Sequence, residues 1–292
     1  MDLYLGIDAG GTHTRARLVA DDGALLGVGE AGPANARIGL DEALKEVEAA
    51  CMQALGEAGL GASRLAEVRA GLGIAGLNRR GVLPGLKEHH FPFRSIAFAS
   101  DAAIACLGAH GGGDGAIVIV GTGSIGFARV GGEVYTIGGY GFPVSDEGSG
   151  ADLGLRAIRR SLWARDGRIP PSAMTDEVLA HFDGSAGEIV DFTARATPTD
   201  YAAFAPMVMD YAVEGDPVAE AIVQGAALRL DRLIRVLLDR GAPSCCLAGG
   251  VAARMRDWLA ASIRERLSEP LGDPLDGAIL LARTRASAKE AA

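Results

Sequence analysis

One arrangement of residues occurs twice, and it constrains the fold more than any other feature of the chain. Residues 3–7 read as a buried strand, Asp8-Ala9-Gly10-Gly11-Thr12-His13-Thr14 as a glycine-rich loop, and 14–19 as an alternating strand. Asp21-Asp22-Gly23 is a hairpin turn and 24–29 a third strand. About 110 residues later, 116–120, Gly121-Thr122-Gly123-Ser124, 125–130, Gly131-Gly132 and 133–137 repeat strand, loop, strand, turn and strand. Familiar phosphate loops lead from a strand into a helix; both of these leave as another strand. The duplication predicts two related lobes, each led by a hairpin whose glycine turn faces the same ligand.

The rest of the chain fills out an α/β pattern. Leu40, Leu44, Val47, Cys51 and Leu55 give the spacing of an amphipathic helix over 40–55. Residues 68–74 and 96–99 have the continuous apolar character of buried parallel strands, and 101–107 opens a helix. Helices are expected over 149–163, 175–181, 199–213, 217–240, 255–267 and 277–288, with a short strand at 244–247. The lobes are expected at 1–112 and 113–292, joined near the pliable Gly111-Gly112-Gly113, with the last helix free to return to the first lobe.

Composition narrows the partners. The 292 residues carry a net charge of −9 and no basic stripe, which disfavours nucleic acid and anionic membrane. The only lysines are Lys45, Lys87 and Lys289, and no Gly-Lys pair exists, so a P-loop of the G-x-x-x-x-G-K-[ST] type is excluded. Any phosphate is expected to be held mainly by backbone N–H groups and hydroxyls, with room for a metal. Cys51, Cys106, Cys245 and Cys246 form no C-x-x-C pair and read as buried reduced thiols. No basic-then-apolar leader precedes the first strand, and no apolar run is long enough to span a bilayer, so a cytoplasmic protein is expected.

Several short stretches could carry chemistry. Gly10 and Gly11 let the backbone approach an anion, and Thr12 and Thr14 could add hydroxyl donors. Asp8 would repel a phosphate directly but suits Mg²⁺, which binds through one or two carboxylates plus phosphate oxygens; a ligand-free Asp-Gly hairpin remains the competing reading. Thr122 and Gly123 belong to the matching turn. Asp101, after a strand that ends at a sheet edge, is either a site carboxylate or a helix cap. Asp146 and Glu147, before a helix, are open to the same two readings. Asn35 could offer an amide to a ligand or sit in an ordinary turn. Gly249 and Gly250 could admit a flat ring or a phosphate, or form a plain strand-to-helix turn. Trp163 and Trp258 read as core packing.

Taken in order, GIDAGGTHTRA, PANAR, SDAA, GTGS, GGYGFPVSDEGSGADLG and LAGGVA resemble the sugar kinase/actin/Hsp70 superfamily. Within it they are most similar to the BadF/BadG/BcrA/BcrD-type ATPases and the N-acetylglucosamine kinase and bacterial glucosamine kinase branch. The resemblance implies two actin-like (ribonuclease H-like) lobes, each a mixed sheet flanked by helices, with a ligand cleft between them. It makes Asp8–Thr14 and Gly121–Ser124 the two phosphate motifs and Gly249-Gly250 the adenosine motif. Asp101 becomes the catalytic carboxylate facing the sugar 6-hydroxyl. Asn35, Asp101, Gly138, Gly139, Asp146 and Glu147 become sugar contacts, and Asp8 the metal carboxylate. The cofactors implied are ATP and Mg²⁺, and a homodimer is allowed. Tyr140 and Ser145 depart from the Trp and Gly that such families often carry there.

The implied reaction is ATP-dependent phosphorylation of an amino sugar at O6, with glucosamine ahead of N-acetylglucosamine because the acidic pair Asp146-Glu147 suits a cationic amine. An ATPase that drives a partner enzyme and a non-catalytic sugar sensor are the alternatives from other classes. The scattered cysteines speak against the first, and the lack of a helix-turn-helix before the first hairpin speaks against a DNA-binding form of the second.

Overall fold

The computed structural model describes residues 2–34 and 39–290, with the backbone alone for 285–290. In chain order the elements are β1 (Leu3–Ala9), β2 (Thr14–Ala20), β3 (Leu25–Ala31), α1 (Leu40–Glu57), β4 (Val68–Ile74), α2 (Val82–Glu88), β5 (Ser95–Ser100) and α3 (Asp101–Ala109). There follow β6 (Gly115–Val120), β7 (Ser124–Val130), β8 (Glu133–Gly138), α4 (Gly150–Arg165), α5 (Ala173–His181), α6 (Ala186–Arg195), α7 (Pro198–Ala202) and α8 (Ala205–Val213). The chain closes with α9 (Pro217–Asp239), β9 (Cys245–Ala248), α10 (Ala252–Met255), α11 (Ala261–Arg264) and α12 (Pro274–Glu290). Two compact units result, Met1–Asp114 with Glu269–Ala292, and Gly115–Ser268.

The first unit is a five-stranded sheet in the order β3-β2-β1-β4-β5. Strands β1, β2 and β3 pair antiparallel, while β1, β4 and β5 run parallel. The period-2 alternation of the strands divides the faces. Leu5 and Ile7 of β1, Leu18 of β2 and Leu72 and Ile74 of β4 share a core with Val47, Cys51 and Leu55 of α1. Tyr4 and Val19 point to the opposite face and pack with Ile279 and Ala282 of α12. Gly71 lets α12 approach closely, since a Cβ there would overlap the Ala278 carbonyl oxygen.

The second unit is a four-stranded sheet in the order β8-β7-β6-β9, again three antiparallel strands followed by a parallel one. Its core joins Val118 and Val120 of β6 to Leu153 and Ile158 of α4 and to Leu230, Ile234 and Leu237 of α9. All four cysteines are buried and none forms a disulfide among the described residues, and burial pushes the Cys51 thiol up to about 12. Among the described residues no helix is long and apolar enough to cross a membrane.

The strands fall where the sequence pattern puts them; some helices do not. The expected helix over 199–213 is two helices, because Pro206 at the start of α8 has no N–H to continue the preceding turn. The expected helix over 255–267 is also broken. Leu259 and Ala260 are extended, the Ala260 N–H is taken by the Asp231 carboxylate of α9, and Leu267 bridges to Cys245. Helices α2 and α6 were not expected; α2 contains Pro84 and Gly85, both poor helix formers, and α6 buries only Ile189.

Candidate active site

In the first unit the parallel strands β1, β4 and β5 end at one edge of the sheet. Asp8 pairs in register with Gly73, and Gly73 with Ala99, so Asp8 and the end of β5 are about 10 Å apart at two strand spacings. The loop between β1 and β2 closes on itself through Gly10 N–H to His13 O at 3.0 Å, and its Gly10 carbonyl accepts from Ala34 N–H. Gly11, Thr12 and His13 are exposed. Asp8, Gly10, Thr12, His13, Arg15 and Glu30 line a cavity of about 340 Å³.

Thr14 does not join them. It is fully buried, and its hydroxyl donates to the Gly32 carbonyl at 2.8 Å. The expectation that Thr14 offers a hydroxyl to phosphate is therefore corrected: it braces the loop from behind. Thr12 keeps an exposed side chain on the cavity.

Asp101 and the helix cap are separate functions here. Ser100 is the N-cap of α3, its hydroxyl accepting from Ala103 N–H at 3.1 Å. Asp101 follows as the first helical residue, and its carboxylate accepts its neighbour Ala102 N–H, at 2.9 Å. Burial pushes its carboxyl above the usual carboxylate range; the Ala102 N–H opposes that shift and the negative charge of Asp8 adds to it.

In the second unit the turn between β6 and β7 ends at the edge shared with β9. Its carbonyls are committed: Gly121 O accepts from Gly150 N–H and Thr122 O from Ala151 N–H, the first donors of α4. Ser149 caps that helix by accepting from Asp152 N–H. The Gly249–Val251 turn is fixed to the same edge, because Val251 N–H donates to Val120 O and Gly249, at φ 99°, has no room for a Cβ against that carbonyl. Gly250 faces open space. Farther along, Met209, Val213, Arg254, Asp257 and Trp258 line a cavity of about 460 Å³.

Asp146 holds this unit's loops together. Its backbone is left-handed at φ 67°, and its carboxylate accepts N–H groups from Ser124, Gly141 and Phe142. Burial outweighs those three bonds and, with Glu147 nearby, pushes the carboxyl up. Gly138 and Gly139 are left-handed and Glu147 is exposed. Asn35 lies outside the described residues.

Trp163 is a correction as well. It is half-buried, not core, with the Arg160 and Arg168 guanidinium groups each 4.6 Å from its ring centroid. Trp258, by contrast, packs against the second unit's core as expected, and its half-buried side chain also lines the second cavity. Sequence reasoning also passed over Arg15, whose guanidinium is 2.7 Å from the Asp8 carboxylate. The signal was available, since closing Ala9 against Thr14 sets position 15 opposite position 8.

Comparison with known proteins places the chain. The family model described as the BadF/BadG/BcrA/BcrD ATPase family matches residues 5–282. The glucosamine kinase GspK of Vibrio cholerae is 38% identical over 282 residues, 97% of this chain and 96% of that protein. An N-acetylmuramic acid/N-acetylglucosamine kinase of Clostridium acetobutylicum is 28% identical over 247 residues, covering 82% and 80%. A crystal structure from Chromobacterium violaceum, provisionally assigned as an N-acetylglucosamine kinase, superposes with a TM-score of 0.89 at 36% identity, covering 97% of this chain and 99% of that one.

Proposed function

Because the chain belongs to the BadF/BadG/BcrA/BcrD ATPase family, we propose that it is an ATP-dependent kinase that phosphorylates O6 of an amino sugar, glucosamine first. The observation that carries the reading is Asp101. It is a half-buried carboxylate at the edge where the first glycine loop opens, with the capping work done by Ser100. A sugar hydroxyl needs alignment, neutralisation of phosphoryl charge and one group to take its proton. Asp101 takes the O6 proton as the bond from O6 to the γ-phosphorus forms and the bond to the bridging oxygen of ADP breaks.

Gly11 and Thr12 of the first turn and Thr122 and Gly123 of the second supply donors to the phosphates, and Gly10 leaves room for their approach; Gly249 and Gly250 take the nucleoside. Among the described residues no group of three or more His, Cys, Asp or Glu could hold a metal ion by itself. Mg²⁺ fits such a site, since it needs only one or two carboxylates when phosphates and water complete its shell. Asp8 would hold it, and when bound it neutralises charge on the transferring phosphoryl group.

Glucosamine is favoured over N-acetylglucosamine because the acidic pair Asp146 and the exposed Glu147 suits a protonated amine. The names of the Clostridium and Chromobacterium relatives support the acetylated sugar as the second reading. A coupled ADP-release screen over hexoses and amino sugars tests both. Turnover highest with glucosamine supports the proposal, turnover highest with N-acetylglucosamine favours the second reading, and no sugar-dependent ADP release rejects both.

A further inference from the structure

Helix α4 begins with a capping arrangement displaced by one residue. An acidic or polar side chain at the third helical position ordinarily reaches back to the N–H of the N-cap. Helix α7 has that ordinary form, with the Thr197 N–H donating to the Asp200 carboxylate at 2.7 Å. At α4 the N-cap is Ser149 and the third residue Asp152, whose N–H donates to the Ser149 hydroxyl at 3.2 Å. The Ser149 N–H, however, is given to the Asp146 carbonyl at 3.1 Å. The Asp152 carboxylate therefore reaches one residue further and accepts the buried Gly148 N–H at 2.9 Å. Its other oxygen accepts from Arg156 Nε, one helical turn on, at 2.8 Å.

The displaced bond clamps one peptide unit from both sides. The Glu147 carbonyl accepts the Ser124 hydroxyl at 2.8 Å, and the N–H of the same unit, on Gly148, is held by Asp152. Ser124 belongs to the second glycine turn, and Gly148 is left-handed at φ 78°. Without Asp152 the Gly148 N–H would be a buried donor left unpaired, which costs enough to rotate the peptide toward water. That rotation re-aims the exposed Glu147 side chain. The second turn itself does not depend on the clamp. Its Gly121 and Thr122 carbonyls accept from the backbone N–H groups of Gly150 and Ala151, which no side-chain change at position 152 removes.

Resting on the reading of Asp146 and Glu147 as sugar contacts, we propose that Asp152 is a positioning residue for amino-sugar recognition. Through Gly148 it fixes the backbone from which Glu147 meets the protonated amine. Its loss is felt by the sugar and not by ATP. Arg156 balances the charge of Asp152 and takes no part in the positioning.

The test measures KM for glucosamine and for ATP in full-length wild type, Asp152→Ala, Asp152→Asn and Arg156→Gln, with thermal unfolding of each. Asp152→Ala is expected to raise the glucosamine KM about tenfold and to leave the ATP KM within about twofold. Asp152→Asn keeps an oxygen for Gly148 while Arg156 turns to solvent, so its glucosamine KM returns to within about threefold of wild type. Arg156→Gln removes the ion pair alone and lowers Tm by about 2–4 °C with neither KM moved. Asp152→Ser, too short to reach Gly148, carries the expectation of Asp152→Ala and replaces it should that variant not fold. An unchanged glucosamine KM or an equal rise in both KM values overturns the proposal. So does an Asp152→Asn or Arg156→Gln enzyme as impaired as Asp152→Ala; Asp152 is then a structural partner of α4 alone. Those outcomes leave wild type releasing ADP with glucosamine, and so leave the kinase reading standing. Wild type that releases none rejects the glucosamine reading and this proposal with it.

Discussion

At the first turn, between β1 and β2, charge lies on the flanking strands: Asp8 on one and Arg15 on the other, paired across the hairpin. At the second, between β6 and β7, the hairpin supplies no charged residue next to the turn. Its carbonyls are held by the first N–H groups of α4, and the Ser124 N–H is held by Asp146 from a later loop. One strand plan thus produces a turn flanked by an ion pair and a turn flanked by neutral residues. The helix layers differ in the same way. Against Gly71, α12 packs by its backbone, whereas Gly126 in β7 meets the flexible ends of Leu233 and Leu237 from α9. At these two positions the first unit makes a backbone contact and the second a contact with side chains that can repack.

The largest effect that separates the two edges is expected from Asp101→Asn. Phosphoryl transfer should fall by about 10²–10⁴-fold while AMP affinity, proposed to depend on the other unit's turns, stays within twofold. The same variant should be more heat-stable than wild type at neutral pH. Asp101 has a raised folded-state pKa, so the native state binds its proton more tightly than the unfolded chain does, and stability falls as pH rises through that window. The acid limb of the wild-type pH–rate profile should accordingly lie above the ordinary Asp range of about 4. An Asp101→Asn enzyme with normal turnover removes the base from the proposal.

Next comes the contrast in packing. Gly71→Ala drives a methyl into the Ala278 carbonyl and should cost about 1–3 kcal/mol in denaturant unfolding. Gly126→Ala meets leucine side-chain ends and should cost clearly less. Equal costs would erase the distinction between the helix seats.

Arg17→Met should cost about 1–2 kcal/mol through loss of its partly buried pairs. Burial pushes the Asp273 carboxyl up, but Arg17 outweighs it and holds the carboxyl below its ordinary value. That stabilisation is present above the unfolded pKa and lost as pH falls through the folded one. The difference in stability between wild type and Arg17→Met should therefore shrink in acid; a constant gap would show that the pair is not ionic. Smallest of the set, Ser149→Ala should cost about 1 kcal/mol through loss of the α4 cap, with the second turn's donors and AMP affinity changed little.

Much of the fold was legible because strands announce themselves by alternation and tight turns by glycine. Both three-strand hairpins and the parallel strands β4 and β5 appear where the pattern puts them. What was illegible depends on distant partners. Asp231 of α9 breaks the helix expected over 255–267 by taking one N–H, and nothing within that segment signals it. Thr14 reads like Thr12 in the sequence, yet a buried bond to Gly32 gives it another role. Asp146 was noticed as an acid before a helix, but its hold on Ser124, Gly141 and Phe142 depends on a left-handed backbone that no local pattern announces.

The most direct measurement is positional. The purified protein is incubated with ATP, Mg²⁺ and glucosamine, and the product is examined by ¹H–³¹P correlation spectroscopy. The expected result is one phosphate ester correlated to the C6 protons of glucosamine for each ADP formed. Phosphate attached at another carbon, or ADP appearing with free orthophosphate and no sugar ester, would contradict O6 transfer and leave an ATPase in its place.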